Sequence, residues 1–263
     1  RGLAEARQGL AKALLRQERY REGLGLVKEL LREEPGSREL WSLRAGASLA
    51  LDQADEAARA LEQARRLGAA DADMLATLGD LYLYREQPRD AVKVYETAFA
   101  SESPSVLRML RAAEGFLMVD DPQGAELMLA RAAVVLKDDE DSPEKQRVRL
   151  LRLQGVLAQR QGELDKALEK ARAVLDVNPL DAEALLLRAE LERKSGSLEE
   201  AVMTLERAAR LDGYQADALA RHAEIEVQRG RYERAVELLE AAQAFEDRPH
   251  VARYLEQVRR MRR

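Results

Sequence analysis

The 263-residue chain has no cysteine. Disulfides, a thiolate nucleophile and a zinc–thiolate site are therefore excluded, while the compartment stays open, because cytosolic proteins and exported proteins without disulfides both fit. Histidine is almost as rare, with only His222 and His250. No HExxH, no Ser/His/Asp order and no Gly-rich phosphate loop is present. Aromatic residues make up 4% of the chain, Asn178 is its only asparagine, and Ile and Thr are scarce. Strands draw on β-branched and aromatic side chains, so a sizeable sheet is not expected. No apolar run approaches the length of a membrane span. A net charge of −5 argues against nucleic acid as the main partner, because phosphate binding needs a basic face. The chain starts at Arg1 without Met, as a processed or cloned fragment would, so the lack of a leader says nothing about compartment.

What remains is a composition for helices: rich in Leu, Ala, Glu and Arg, with 35% charged residues. Its organising feature is a repeat. Counting back from Ala91 in steps of 34 reaches Ala57 and Gly23; one residue past the forward step lies Ala125. A second series runs Ala167, Ala201, Ala235 at the same spacing. Four and seven residues after each marker stand further repeated positions, among them Leu61 and Ala64, Tyr95 and Ala98, Leu205 and Ala208. Those offsets place all three on one helical face, the small residue admitting a neighbouring backbone and the larger ones filling the gap. A helix-turn-helix unit such as Leu75 to Ala100 cannot bury its apolar face alone, and stacked copies supply the cover.

The pattern resembles the tetratricopeptide repeat family, over nearly the whole chain. Trp41 stands at that family's Trp position, Leu78–Gly79 at its Leu-Gly, Gly155 at its Gly, Tyr82 and Phe116 at its Tyr, and Pro35 and Pro179 at its terminal Pro. Arg44, Arg188 and His222 replace its Leu, and Glu192 and Glu226 replace its Tyr, which puts local packing in question there. The resemblance implies an all-α helix-turn-helix repeat solenoid wound as a right-handed superhelix.

One continuous solenoid over 1–263 is expected, with repeats at about 4–37, 38–71, 72–105, 106–139, 148–181, 182–215 and 216–249. Between Ala125 and Ala167 the step is 42 residues, eight more than the period. The excess marks an insertion or extended helix at 140–147. Ser142 as N-cap and Pro143 at the first helical position predict a helix from Pro143 to Arg160, about two turns longer than its counterparts. Gly162, Gly196 and Gly230 mark inter-helix turns, where a positive φ is cheapest for glycine. Residues 250–263 read as a capping helix with Val251, Tyr254, Leu255 and Val258 on one face.

No catalytic residue, metal site or cofactor is singled out. The carboxylates are those of a solvated helical surface. The run Asp138–Asp139–Glu140–Asp141 lacks the spaced ligands and central Gly of a calcium loop. His222 falls at a buried Leu position and is expected to be packed; His250 is expected at the surface. The basic residues Arg259 to Arg263 complement the dipole of a last helical turn.

The resemblance further implies that the first helix of each repeat lines a concave groove. Mapped by repeat position, that groove holds Leu83, Tyr84, Leu110, Arg111, Glu114, Leu117 and Met118, and further along Arg149, Arg152 and Arg160. An apolar floor beside a cluster of Arg suits a protein or peptide partner with apolar anchors and an acidic flank. The competing reading is that Leu110, Leu117 and Met118 only pack against the next repeat. A clamp of Lys and Asn, by which some members hold chaperone C-termini, lacks its asparagines here. The expected function is a non-catalytic protein-binding scaffold, placed by analogy in bacterial envelope assembly or secretion. Two alternatives stand beside it: a regulatory or sensor region of a longer signalling or enzyme polypeptide, and an RNA-binding helical repeat. The last needs base-reading polar pairs at fixed positions, and none recurs.

Overall fold

The computed structural model describes residues 2–100, 105–138 and 143–261, without the side chains of residues 2–4 and 138. Fifteen helices and no strand occur among the described residues. The acidic residues 139–141, Ser142 and the terminal Arg262 and Arg263 lie outside them, as does the side chain of Asp138. The chain forms two compact units, residues 1–139 and 140–263.

The first unit holds α1 (Gly2–Arg16), α2 (Tyr20–Glu33), α3 (Arg38–Ala50), α4 (Ala54–Arg66), α5 (Ala72–Tyr84), α6 (Pro88–Ala98), α7 (Val106–Met118) and α8 (Pro122–Asp138). The second holds α9 (Glu144–Arg160), α10 (Leu164–Val177), α11 (Ala182–Lys194), α12 (Leu198–Ala208), α13 (Gln215–Gln228), α14 (Tyr232–Phe245) and α15 (Pro249–Met261). Within each unit the two helices of every repeat pack together, and α5 also meets α7 as α9 meets α11.

Each pair starts and stops for local reasons. Ser37, Asp71, Ser105 and Asp181 cap α3, α5, α7 and α11, each accepting from the backbone N–H three residues on. Pro88 and Pro122 occupy first helical turns, where a missing donor costs nothing, and the Asp121 carboxylate accepts from Gly124 N–H at 3.1 Å. Every turn between paired helices closes the same way. The residue after the left-handed position donates its N–H to the carbonyl five residues back, as in Gln53 to Ser48 and Ser197 to Glu192, both 2.8 Å.

The markers of the repeat sit at the helix crossings. Ala57, Ala91, Ala125, Ala167, Ala201 and Ala235 are all fully buried. Around them lie Leu61, Tyr95, Leu129, Leu205 and Leu239, each worth about 1.5–3 kcal/mol when removed from water. On α15, Val251, Leu255 and Val258 are buried against Leu238, Leu239 and Ala242, while Arg253, Glu256 and Arg260 face outward.

The eight extra residues are distributed differently from expectation. α9 begins at Glu144, one residue later than predicted, with Pro143 in extended backbone ahead of it. Its 17 residues exceed the 13 of α11 by about one turn rather than two. The rest goes to α8, which also runs 17 residues against 13 in α4 and 11 in α6. Val135 and Leu136 continue the apolar face of α8, so the helix goes on past the repeat's usual stop.

Candidate functional site

In the first unit the inner sides of α5 and α7 enclose a cleft of about 520 Å³, lined by Asp80, Leu83, Tyr84, Glu86, Arg111, Glu114, Gly115, Met118 and Val119. The periodicity explains it. Asp80 and Tyr84 are four apart on α5, and Arg111, Glu114 and Met118 follow at three and four on α7, so each helix turns one face into the cleft. Leu83 is 5% exposed and forms the floor, while Tyr84 and Met118 stand at the mouth, 78% and 85% exposed. Gly115 lets Leu83 pack directly against α7. A Cβ there would come within 2.7 Å of Leu83 Cδ1.

Beneath the floor lies an aromatic cluster. The Tyr95 ring stacks on Phe99 at 5.6 Å and meets Phe116 edge-on at 5.8 Å. Gly79 makes room for it, since a Cβ there would lie 2.6 Å from the ring; Gly124 does the same for Phe116. The Tyr95 hydroxyl donates to Asp80 Oδ1 at 2.5 Å. Burial raises the Asp80 carboxyl above its usual range, against the lowering effect of that bond and of the Arg108 and Arg111 charges. Burial, with the adjacent carboxylate, also pushes the Tyr95 phenol up.

The expected groove residues divide three ways. Leu83, Tyr84, Arg111, Glu114 and Met118 meet at this cleft. Leu110 and Leu117 are 0% and 5% exposed and belong to the packed interior, so the packing reading holds for these two and not for Met118. Arg149, Arg152 and Arg160 belong to α9, in the other unit, and Arg152 is already paired with Glu183.

At the positions of Leu83 and Tyr84, the sixth repeat in the second unit carries Arg193 and Lys194. Glu190 on α11 pairs with Arg193 at 2.8 Å and Lys194 at 3.5 Å. Burial pushes its carboxyl up, but the Arg193 bond and the Arg193, Lys194 and Arg221 charges outweigh this, leaving it below its usual range. Glu224 on α13 goes the other way, raised by burial.

Where the Leu and Tyr of the repeat pattern are replaced, the replacements pair with each other. Arg188 Nε donates to Glu192 Oε1 at 2.6 Å, and Glu192 Oε2 accepts from Thr204 Oγ1 at 2.8 Å. His222 Nε2 lies 3.7 Å from Glu226 Oε1, and Arg229 and Arg231 reach the same carboxylate at 3.3 and 3.4 Å. His222 is buried, as its position predicts, and His250 is exposed. In the first unit Arg44 lies over the Trp41 ring at 5.3 Å, and the Trp41 indole N–H donates to Pro35 O at 2.7 Å.

The family model of the tetratricopeptide repeat matches residues 9–74 and 152–218. The chain belongs to the tetratricopeptide repeat family. Solved structures agree in fold. A tetratricopeptide repeat protein from Parabacteroides merdae is 16% identical, with 97% of this chain and 98% of that one covered, at a TM-score of 0.64. The C-terminal part of a repeat protein from Cytophaga hutchinsonii is 14% identical, with 93% and 98% covered, at 0.68. The pilF protein of Pseudomonas aeruginosa is 17% identical, with 84% and 96% covered, at 0.59. No curated protein matches the sequence. As a tetratricopeptide repeat fold, the chain is built as a protein–protein interaction scaffold, of a kind generally without catalysis. No described helix is long and apolar enough to cross a membrane, and no cluster of metal-ligating side chains occurs among the described residues.

Proposed function

We propose that this repeat protein holds a partner protein by seating an apolar anchor of a short helix or extended segment in the cleft between α5 and α7. The observation that carries this is the pair Tyr84 and Met118. They are the same position of successive repeats, both on the inner face, and both leave a large apolar side chain in water above an apolar floor. Exposed aromatic and thioether groups adapt to an incoming side chain at little entropic cost. An acidic flank beside the anchor would find the Arg111 guanidinium, which can take a carboxylate bidentately. Arg149, Arg152 and Arg160 would extend that preference only for a partner that reaches the second unit. The chain contributes recognition rather than chemistry. The anchor site lies wholly within the first unit.

The test is selection of binders from a random peptide display library on the wild-type chain and on Tyr84→Ser/Met118→Ser. Both positions are at the surface, so the variant should keep its helicity. Loss of the selected binders supports the cleft, and their retention by a folded variant refutes it. Arg111→Glu separates the flank: peptides with acidic flanks should weaken while those without should not. We favour the bacterial envelope as the compartment, on the Arg-over-Lys, Leu- and Ala-rich composition and the bacterial fold relatives; fractionation of the source cells checks it.

A further inference from the structure

One apolar face of the first unit lies away from the cleft, on α1. Its residues Ala6, Leu10 and Ala13 hold repeat positions that are closed elsewhere. In the third repeat these are Met74, Leu78 and Leu81 of α5, and in the seventh Ala218, His222 and Ile225 of α13, all buried. In both cases the second helix of the preceding repeat packs there, α4 on α5 and α12 on α13. Among the described elements α1 packs on α2. Ala6, Gly9, Leu10 and Ala13 stay exposed, Leu10 at 54%. A Cβ at Gly9 would meet nothing within 4 Å. Spacings of three and four put these residues on one face, and helices that meet over side chains so small approach to about 8 Å between axes.

The charges on α1 say what fits that face. Arg7 pairs with Glu29 and Glu33, and Lys12 with Glu39. Glu5 and Arg16 are exposed and have no partner among the described residues. They stand three turns apart on one edge of the face, the acid towards the N-terminal end and the base at the C-terminal end. A second α1 laid antiparallel on the first, about a two-fold axis beside Leu10, brings Glu5 of each copy to Arg16 of the other. A parallel neighbour would set like charge against like. The last helix, α15, turns Arg253, Glu256 and Arg260 outward, so its outer face offers no apolar match for a head-to-tail array.

We propose that two copies of this chain associate through α1, antiparallel, with Leu10 meeting Leu10 at the two-fold axis and a Glu5–Arg16 pair on either side. This surface is separate from the cleft between α5 and α7. One pair of four-turn helices is smaller than the interface of about 800 Å² per partner in a stable complex, so the dimer should form and dissociate with concentration.

The experiment is sedimentation equilibrium of the whole chain from micromolar to millimolar concentration. The weight-average mass should rise from 29.5 kDa towards twice that value and stop there. Leu10→Glu, at an exposed position, should keep the helicity and hold the chain at the monomer mass. Glu5→Arg and Arg16→Glu should each weaken the dimer about tenfold, because each breaks two symmetric ion pairs and brings like charges together. The double swap Glu5→Arg/Arg16→Glu should return the dimer to near the wild-type constant. A chain that stays monomeric leaves the face to a different protein and overturns the proposal. A dimer that survives Leu10→Glu, or a mass that climbs past the dimer, overturns it too. So does a double swap no tighter than the single changes, since the antiparallel pairing would then be wrong.

Discussion

The two units solve the same packing problem with different chemistry. In the first, the Leu and Tyr positions of the third repeat are Leu78 and Tyr82, and the inner face ends in Tyr84 and Met118. In the second, the same positions hold Arg188 with Glu192 and His222 with Glu226, and the inner face carries Arg160, Arg193 and Lys194. The inter-helix turns differ too. The left-handed residue is Glu18, Asp52, Glu86 and Asp120 in the first unit, and Gly162, Gly196 and Gly230 in the second. One backbone design thus tolerates a swap of an apolar pair for an ion pair, provided both members change together. It also tolerates a strained turn residue, provided the terminal hydrogen bond is kept. The first unit spends its apolar residues partly on an open cleft; the second keeps charged groups at the matching place.

The largest expected effect comes from breaking one half of a swapped pair. Glu226→Ala would strip buried His222 of its carboxylate and leave Arg229 only its pair with Glu199 at 2.9 Å, at a cost of about 3 kcal/mol by denaturant unfolding, the low end for a broken buried pair. The double change His222→Leu/Glu226→Tyr, which restores the apolar pair, should cost far less or stabilise the unit. A double variant as unstable as the single one would mean that the surrounding packing has become specific for the charges.

Next come the glycines at close approach. Gly79→Ala and Gly124→Ala press a methyl group into the Tyr95 and Phe116 rings, at about 1–3 kcal/mol each. Gly46→Ala on α3 meets nothing within 4 Å and should stabilise by roughly 0.5–1 kcal/mol through helix propensity alone. Thermal midpoints of the three variants give the order.

The turns provide a smaller and symmetrical test. Asp52→Gly should gain up to about 1 kcal/mol by relieving a left-handed residue at φ 57°, and Gly196→Asp should lose about 1 kcal/mol at φ 87°. Opposite signs sharpen the contrast between the units, and equal signs would erase it.

The smallest effect is on pH. Burial, opposed by Glu226, lowers the folded-state pKa of His222 below 6.5. The unfolded chain then takes up the proton first, so stability should fall as pH drops below about 6.5 towards the folded value, and level off beneath it. His222→Leu should remove that slope from the Tm measured between pH 7.5 and 5.5.

Much of this was open to a reader of the sequence, and for identifiable reasons. The alanine markers recur at 34 because a helix crossing admits little else, and Ser37, Asp71, Ser105 and Asp181 announce helix starts by capping chemistry. Gly162, Gly196 and Gly230 show their positive φ in the residue type. Glu18, Asp52, Glu86 and Asp120 do not, because their strain is held by the terminal hydrogen bond rather than by composition; only their shared 34-residue spacing gave a signal. Leu110 and Leu117 hold groove positions of the repeat and are nonetheless buried, because repeat position fixes which way a side chain points and not how deep the neighbouring helix covers it. Met118, the next residue on the helix, stays open because it points to the mouth of the cleft while Leu117 points into the packed interior. The pairing of Arg188 with Glu192 was present as an i,i+4 spacing and became visible once both departures were taken together rather than singly.

The most direct test of the docking cleft is photo-crosslinking of the selected peptide binders to chains carrying a benzophenone side chain at position 118 or at position 194, the same position two repeats away in the second unit. Crosslinks at 118 and none at 194 are the result expected if the open apolar cleft of the first unit is where a partner is held. Crosslinks at 194 with none at 118 would contradict it.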